Sequence, residues 1–274
     1  MSSNNPVLGR DPWRQDAASN PYQGQYSSQP QWQGQYQQAP GQYAPTGQGA
    51  PVAAATDRMT VDDVVMKTLT LLGVVLVAGA VSWAMIPPLL APIALFGALG
   101  IGLVLGLIIS FKQVTNPVAI MAYAAVEGVL LGQISKYYEN AYPGIVISAV
   151  IGTFAVFAGM AALYKFRIIR ATPKFTKWLF GAMIGVIVLM AANFILAMFG
   201  VNLGLRDGGP LAIVFSLVCI GVAALTFIQD FAVVEDGVAR GVQRRFGWFA
   251  SFGILVGLVW LYLEILRLLS YLRR

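Results

Sequence analysis

No histidine occurs anywhere in the 274 residues, and there is a single cysteine, Cys219. The first absence removes the commonest general base and metal ligand, and the second excludes an internal disulfide. Charge is scarce too: Asp, Glu, Lys and Arg make up 11% of the chain, well below the roughly one quarter of a soluble average. What fills the space is apolar, at 57% of residues. The composition therefore predicts an all-α polytopic membrane protein. The formal charge of +6 needs no nucleic acid to explain it, because membrane proteins concentrate Lys and Arg in their cytoplasmic connections.

From residue 17 to residue 56 there is no charge of either sign, and the triplet Gly-Gln-Tyr recurs at Gly24, Gly34 and Gly41. A segment this rich in Gln, Pro and Gly buries too little apolar surface to offset the entropy of ordering, so residues 1–56 are expected to form a disordered tail. A solvated tether is one reading of it, and a sticky segment using its Tyr and Trp residues is the other. The first 30 residues also have no apolar run following a charged start, as a signal peptide would require. The rest, 57–274, reads as one membrane domain.

Seven apolar stretches follow, each close to the roughly 20 residues that cross a bilayer core: 64–86, 89–111, 116–134, 144–164, 178–199, 211–233 and 249–270. Pro87 and Pro88 divide the first two and predict a tight turn, since proline interrupts a helix interior. Ala98, Gly102 and Gly106 recur every fourth residue in the second stretch, and Gly128 and Gly132 do so in the third. Such stripes of small residues let helix backbones approach closely. If the N-terminus is inside, eleven basic residues fall on inner segments (Arg58, Lys67, Lys112, Lys165, Arg167, Arg170, Lys174, Lys177, Arg240, Arg244, Arg245) and four on outer ones (Lys136, Arg206, Arg273, Arg274). This asymmetry predicts a cytoplasmic N-terminus. The basic C-terminal "YLRR" pulls the other way and leaves a re-entrant last helix as an alternative.

Three acids fall within the apolar stretches: Glu127, Asp230 and Glu264. A charge at mid-bilayer is costly enough that it normally has a partner or a task. Glu127 reads either as a protonated carboxyl bonding a neighbouring helix or as a station on an ion pathway. Asp230 reads either as an acid reaching interfacial water with Glu235 and Asp236 or as a gating group. Glu264 has Arg267 one turn on, so an intrahelical ion pair is one account and a coupling to Asp230 is another. In a coupling of that kind two desolvated carboxyls share a proton and titrate as a unit, with Arg267 biasing or bridging them.

Enzyme classes fare badly against this inventory. A serine-type intramembrane protease would lack its histidine, an aspartyl one would lack its second embedded aspartate and a GxGD motif, and a retinal protein would lack a lysine in the last helix. Zinc of the His or Cys type has no ligands, whereas a hard cation such as calcium suits carboxylates. No cofactor is expected.

The segments "LTFIQDFAVVEDG" and "LVWLYLEILRLLSYL", with "EGVLLG" in the third stretch, resemble the Bax inhibitor-1/YccA family, in particular its bacterial branch with a disordered N-terminal tail. The resemblance covers residue 57 to the end and leaves the tail out. It implies a seven-helix bundle with the last helix central, located in the bacterial inner membrane, and a pH-sensitive calcium leak closed by an acid pair on the last two helices. The matching positions are Asp230 and Glu264, which would also meet calcium transiently. Glutamate stands at 264 where aspartate is the more familiar residue, and "EDGVARGVQRRFGW" is longer than the compact members' connection. The same family implies a second possibility, a non-catalytic regulator that binds another membrane protein such as a protease.

The topological reading has a direct test. The segment from Lys165 to Lys177 carries five cations and should resist translocation. A cysteine placed there is expected to stay unlabelled by an impermeant thiol reagent until cells are lysed; labelling of intact cells would invert the orientation.

Overall fold

In a computed structural model, residues 57–274 are described, apart from Asn202. The expectation of a disordered tail lies outside those residues. Among the described residues seven helices occur: α1 (Val61–Met85), α2 (Ala91–Lys112), α3 (Pro117–Ala141), α4 (Ile145–Lys165), α5 (Pro173–Met198), α6 (Pro210–Ala239) and α7 (Phe246–Leu272). All seven are long and apolar enough to span a membrane.

Local chemistry sets their starts. Thr60, Asn116 and Thr172 each accept a hydrogen bond from an amide of the first turn they precede, at 3.1, 2.9 and 3.2 Å. These side chains satisfy donors that a helix start leaves orphaned. Pro117, Pro173 and Pro210 stand in the first turns of α3, α5 and α6, where a missing N–H costs nothing. The Pro87–Pro88 turn forms as expected, but it runs from Ile86 to Leu90, so α2 starts two residues later than the apolar stretch. α3 and α6 instead outrun their stretches, because their polar last turns still satisfy their own backbone.

The last helix is central. Burial covers 67% of α7's membrane window and only 11% of α5's. α1, α3, α4 and α6 pack directly on α7, while α2 packs chiefly on α3 and α5 chiefly on α6. One apolar cluster joins α4, α6 and α7 through Ile145, Phe227 and Leu261; another joins α1, α3 and α7 through Leu71, Ile120 and Leu255.

Both small-residue stripes do what their spacing implies. A Cβ at Gly128 would lie 2.6 Å from the Val75 carbonyl oxygen, and one at Gly132 would lie 2.5 Å from that of Gly79. The backbones of α1 and α3 are therefore in contact, and Ser82 and Gln133 seal the seam with hydrogen bonds of 2.7 and 2.8 Å. On α2, Gly102 and Gly106 accommodate Glu127 and Tyr123 of α3. At the end of the bundle where α1 begins, Arg244 pairs with Asp63 at 2.7 Å and Lys67 donates to the Arg244 carbonyl at 2.7 Å. These bonds fasten the α6–α7 connection to the start of α1.

Gly132→Ala is expected to destabilise the protein by about 1–3 kcal/mol, because its methyl meets backbone that cannot step aside. Gly181→Ala on α5, where nothing lies within 4 Å, should be neutral or slightly stabilising. Thermal unfolding in detergent compares the two; equal stabilities would contradict the close α1–α3 approach.

Candidate functional site

Glu264 lies on the enclosed face of α7 and is 2% exposed. Arg267, one turn further along the same face, brings Nη1 to 2.5 Å from Glu264 Oε1. The intrahelical pair expected from the i, i+3 spacing is therefore formed. It satisfies only half of the carboxylate, because Oε2 is buried without a hydrogen-bond partner. A buried ion pair is costly unless its remaining lone pairs are also met, so this site holds an unsatisfied demand for a proton, a water or a cation.

Three further groups come within electrostatic range of Glu264: Tyr271 on α7, Cys219 from α6 and Arg206 from the connection between α5 and α6. Sequence reasoning counted Arg206 only as an outer positive charge, and nothing in its local pattern points to α7. The connection is drawn over the end of α7 by two bonds. Tyr271 donates to the Arg206 carbonyl at 3.3 Å, and Arg274 donates to the Asp207 carbonyl at 2.8 Å. The Arg206 side chain still reaches the surface, with Nη2 only 3.1 Å from the Met190 thioether, a weak acceptor. Partial burial pushes its guanidinium below the ordinary arginine value, repulsion from Arg267 adds to this, and attraction to Glu264 offsets part of it. Such a group keeps its proton, and the direction reflects chiefly its loss of solvent.

Asp230 is elsewhere. Its Oδ1 would stand 3.3 Å from a Cβ added at Gly253 of α7, so it faces bare α7 backbone. Among the described residues no hydrogen bond or ion pair reaches it. Eleven residues separate Gly253 from Glu264, about 16 Å along the helix. The expected Asp230–Glu264 pair is thus absent, for a reason of register. α6 and α7 run antiparallel across residues 240–245; Asp230 lies nine residues before the end of α6, whereas Glu264 lies 18 residues past the start of α7. The two acids occupy opposite halves of one helical seam.

Glu127 is in a third place. Buried between α2 and α3, it points Oε1 at Gly102 and leaves Oε2 without a partner. The three acids within the apolar stretches therefore occupy three separate places. No group of three or more His, Cys, Asp or Glu side chains suited to a metal occurs among the described residues, and the shared calcium position expected at Asp230 and Glu264 is not formed. The two acids nearest Asp230 in the sequence are engaged outside it: Glu235 accepts from Tyr164, and Asp236 pairs with Arg240 at 2.7 Å.

No curated protein matches the chain in sequence. The family model described as Bax inhibitor 1 like matches residues 5–274, which takes in nearly all of the Gln- and Tyr-rich segment that the motif resemblance had left out. A central last helix carrying a buried ionic site, seven spanning helices and a match over almost the whole length place this chain in the Bax inhibitor 1 like family.

Proposed function

We propose that the protein is a non-catalytic, proton-sensitive cation leak of the bacterial inner membrane, with calcium as its permeating ion and its N-terminal end in the cytoplasm. One observation carries the reading: Glu264, buried on the central helix, is held by Arg267 with its second oxygen unpartnered. The closing element in this account is the intrahelical ion pair itself rather than a pair of acids on two helices.

The mechanism follows from what protonation removes. With Glu264 ionised, its charge compensates Arg267 and part of Arg206, and the α5–α6 connection can rest over the end of α7. Once Glu264 takes a proton, its charge no longer offsets the repulsion between the Arg206 and Arg267 guanidinium groups. Arg267 is five residues from the last residue of α7, close enough for its long side chain to turn toward the aqueous end. That movement parts the connection from α7 and opens the upper half of the α6–α7 seam. Asp230, on the lower half, supplies a carboxylate that a hard cation can meet and leave, since a single acid is too few ligands for tight binding. The eleven-to-four distribution of basic residues supports the orientation.

Calcium flux into liposomes, measured from neutral to mildly acidic pH, tests this as a double-mutant cycle. Glu264→Gln and Arg267→Gln should each abolish the pH dependence, and together should add little, as expected of residues acting as one unit. Asp230→Asn should lower flux at every pH and combine additively with Glu264→Gln. Non-additivity between Asp230 and Glu264 would restore a direct coupling. No flux at any pH from well-folded protein would leave the family's other implied role, a regulator bound to another membrane protein.

A further inference from the structure

α1 and α4 both pack on α7, yet they do not pack on each other as neighbours. Between them a crevice of about 410 Å³ reaches the central helix, with Leu76 and Trp83 on one wall, Val150 on the other, and Leu131, Leu258 and Tyr262 beneath. Its hydroxyl groups are already satisfied: Ser135 and Tyr262 share a 2.6 Å hydrogen bond, and Thr153 donates to the Ala149 carbonyl at 2.8 Å. A lining of this kind gives water nothing to bind, so the space suits an apolar occupant. It opens sideways from four membrane-spanning helices, where that occupant is hydrocarbon.

One end of the crevice carries two cations that form no ion pair among the described residues. Arg273 lies eleven residues after Tyr262, three helical turns along the same face of α7, and its guanidinium donates to the Pro143 carbonyl at 3.0 Å and to Ser148 Oγ at 3.3 Å. Lys136, the neighbour of Ser135, donates to the carbonyls of Trp83 and Ile86 at 2.8 and 3.2 Å. Glu139, the acid at this end, accepts from the amides of Gly144 and Val146 at 2.6 and 3.1 Å, so its oxygens are engaged with the start of α4, and Arg273 feels its charge without pairing with it. Trp83 stands at the same level, where indole rings favour the headgroup region.

We infer that this crevice is a lipid site: one acyl chain of a phospholipid lies between α1 and α4 against α7, and its phosphate is held at the mouth by Lys136 and Arg273. The ligand is chosen by two matched features, a dry apolar slot within the membrane and, at its aqueous end, two cations outside any ion pair, of which Arg273 meets the Glu139 charge only at longer range. The inference does not depend on ion conduction, although Tyr262 precedes Glu264 by only two residues and a bound chain would press on the helix that carries the ion pair.

The full chain, reconstituted in phosphatidylcholine vesicles, can be photolabelled with a trace of phosphatidylglycerol bearing a diazirine at mid-chain, and in parallel with a diacylglycerol bearing the same chain. Val256, which α7 exposes on another face, serves as an internal control. Labelling by the phospholipid probe is expected at Leu258 and Tyr262 as well as at Val256. Val150→Trp, which overfills the slot, should lower labelling at Leu258 and Tyr262 at least about tenfold with Val256 unchanged; Leu76→Trp fills the slot from the other wall should the first variant fold poorly. The diacylglycerol should label the slot several-fold less, and combined Lys136→Gln and Arg273→Gln should erase that difference. Labelling confined to Val256 and the outer helices, slot labelling that survives both filling variants, or equal labelling by the two probes would each overturn the inference.

Discussion

A carboxylate and a guanidinium placed in the middle of an apolar helix must face protein, because hydrocarbon offers neither of them a partner. The Glu264–Arg267 pair imposes that constraint on α7, and much of the architecture follows from it. α7 is enclosed by α1, α3, α4 and α6, while α2 and α5 are left to meet lipid. The pair is not a source of net stability by itself, since desolvation of two charges offsets most of their attraction. Its consequence is sensitivity. With one oxygen satisfied and one not, a single proton changes the balance among Glu264, Arg267 and Arg206 by a whole charge.

How much of this was legible in the sequence depended on whether the signal was local. The Pro87–Pro88 turn acts within a few residues, and the spacing of the stripes at Gly102, Gly106, Gly128 and Gly132 is readable within one helix although their partners are not; the fold uses both as their chemistry suggests. The Glu264–Arg267 pair is also local, one turn of one helix. The Asp230–Glu264 coupling is not. It required a register between two helices, which is set by how far each runs past the membrane before the chain turns back, and α6 extends to Ala239 before α7 begins at Phe246. Glu127 illustrates the same limit: its helix face is readable, but whether that face meets α2 or α7 is decided by packing at Gly102. Arg206 sits in a connection whose path over α7 depends on Tyr271 and Arg274, about 65 residues away in the chain.

The ionic site and the lateral crevice meet on the same segment of α7. Tyr262 lies beneath the crevice and is bonded to Ser135, while Glu264 comes within electrostatic range of α6 and the α5–α6 connection. A central helix hydrogen-bonded to α3 on one side and carrying its own ion pair on the other has two levers, one open to the bilayer and one to protons. Both lie in the half of the bundle where α7 ends. The opposite half is tied by Arg244, Asp63 and Lys67, and so provides the fixed point against which such a helix would move.

The central claim is that Glu264 alone, in its pair with Arg267, is the group whose protonation opens the protein. Infrared difference spectroscopy of the reconstituted protein during acidification reads this directly through the C=O stretch of a protonated carboxyl. A band that grows over the same pH range as calcium flux, disappears in Glu264→Gln and persists in Asp230→Asn is the predicted result. A band that survives Glu264→Gln, or one lost in Asp230→Asn, would contradict the account.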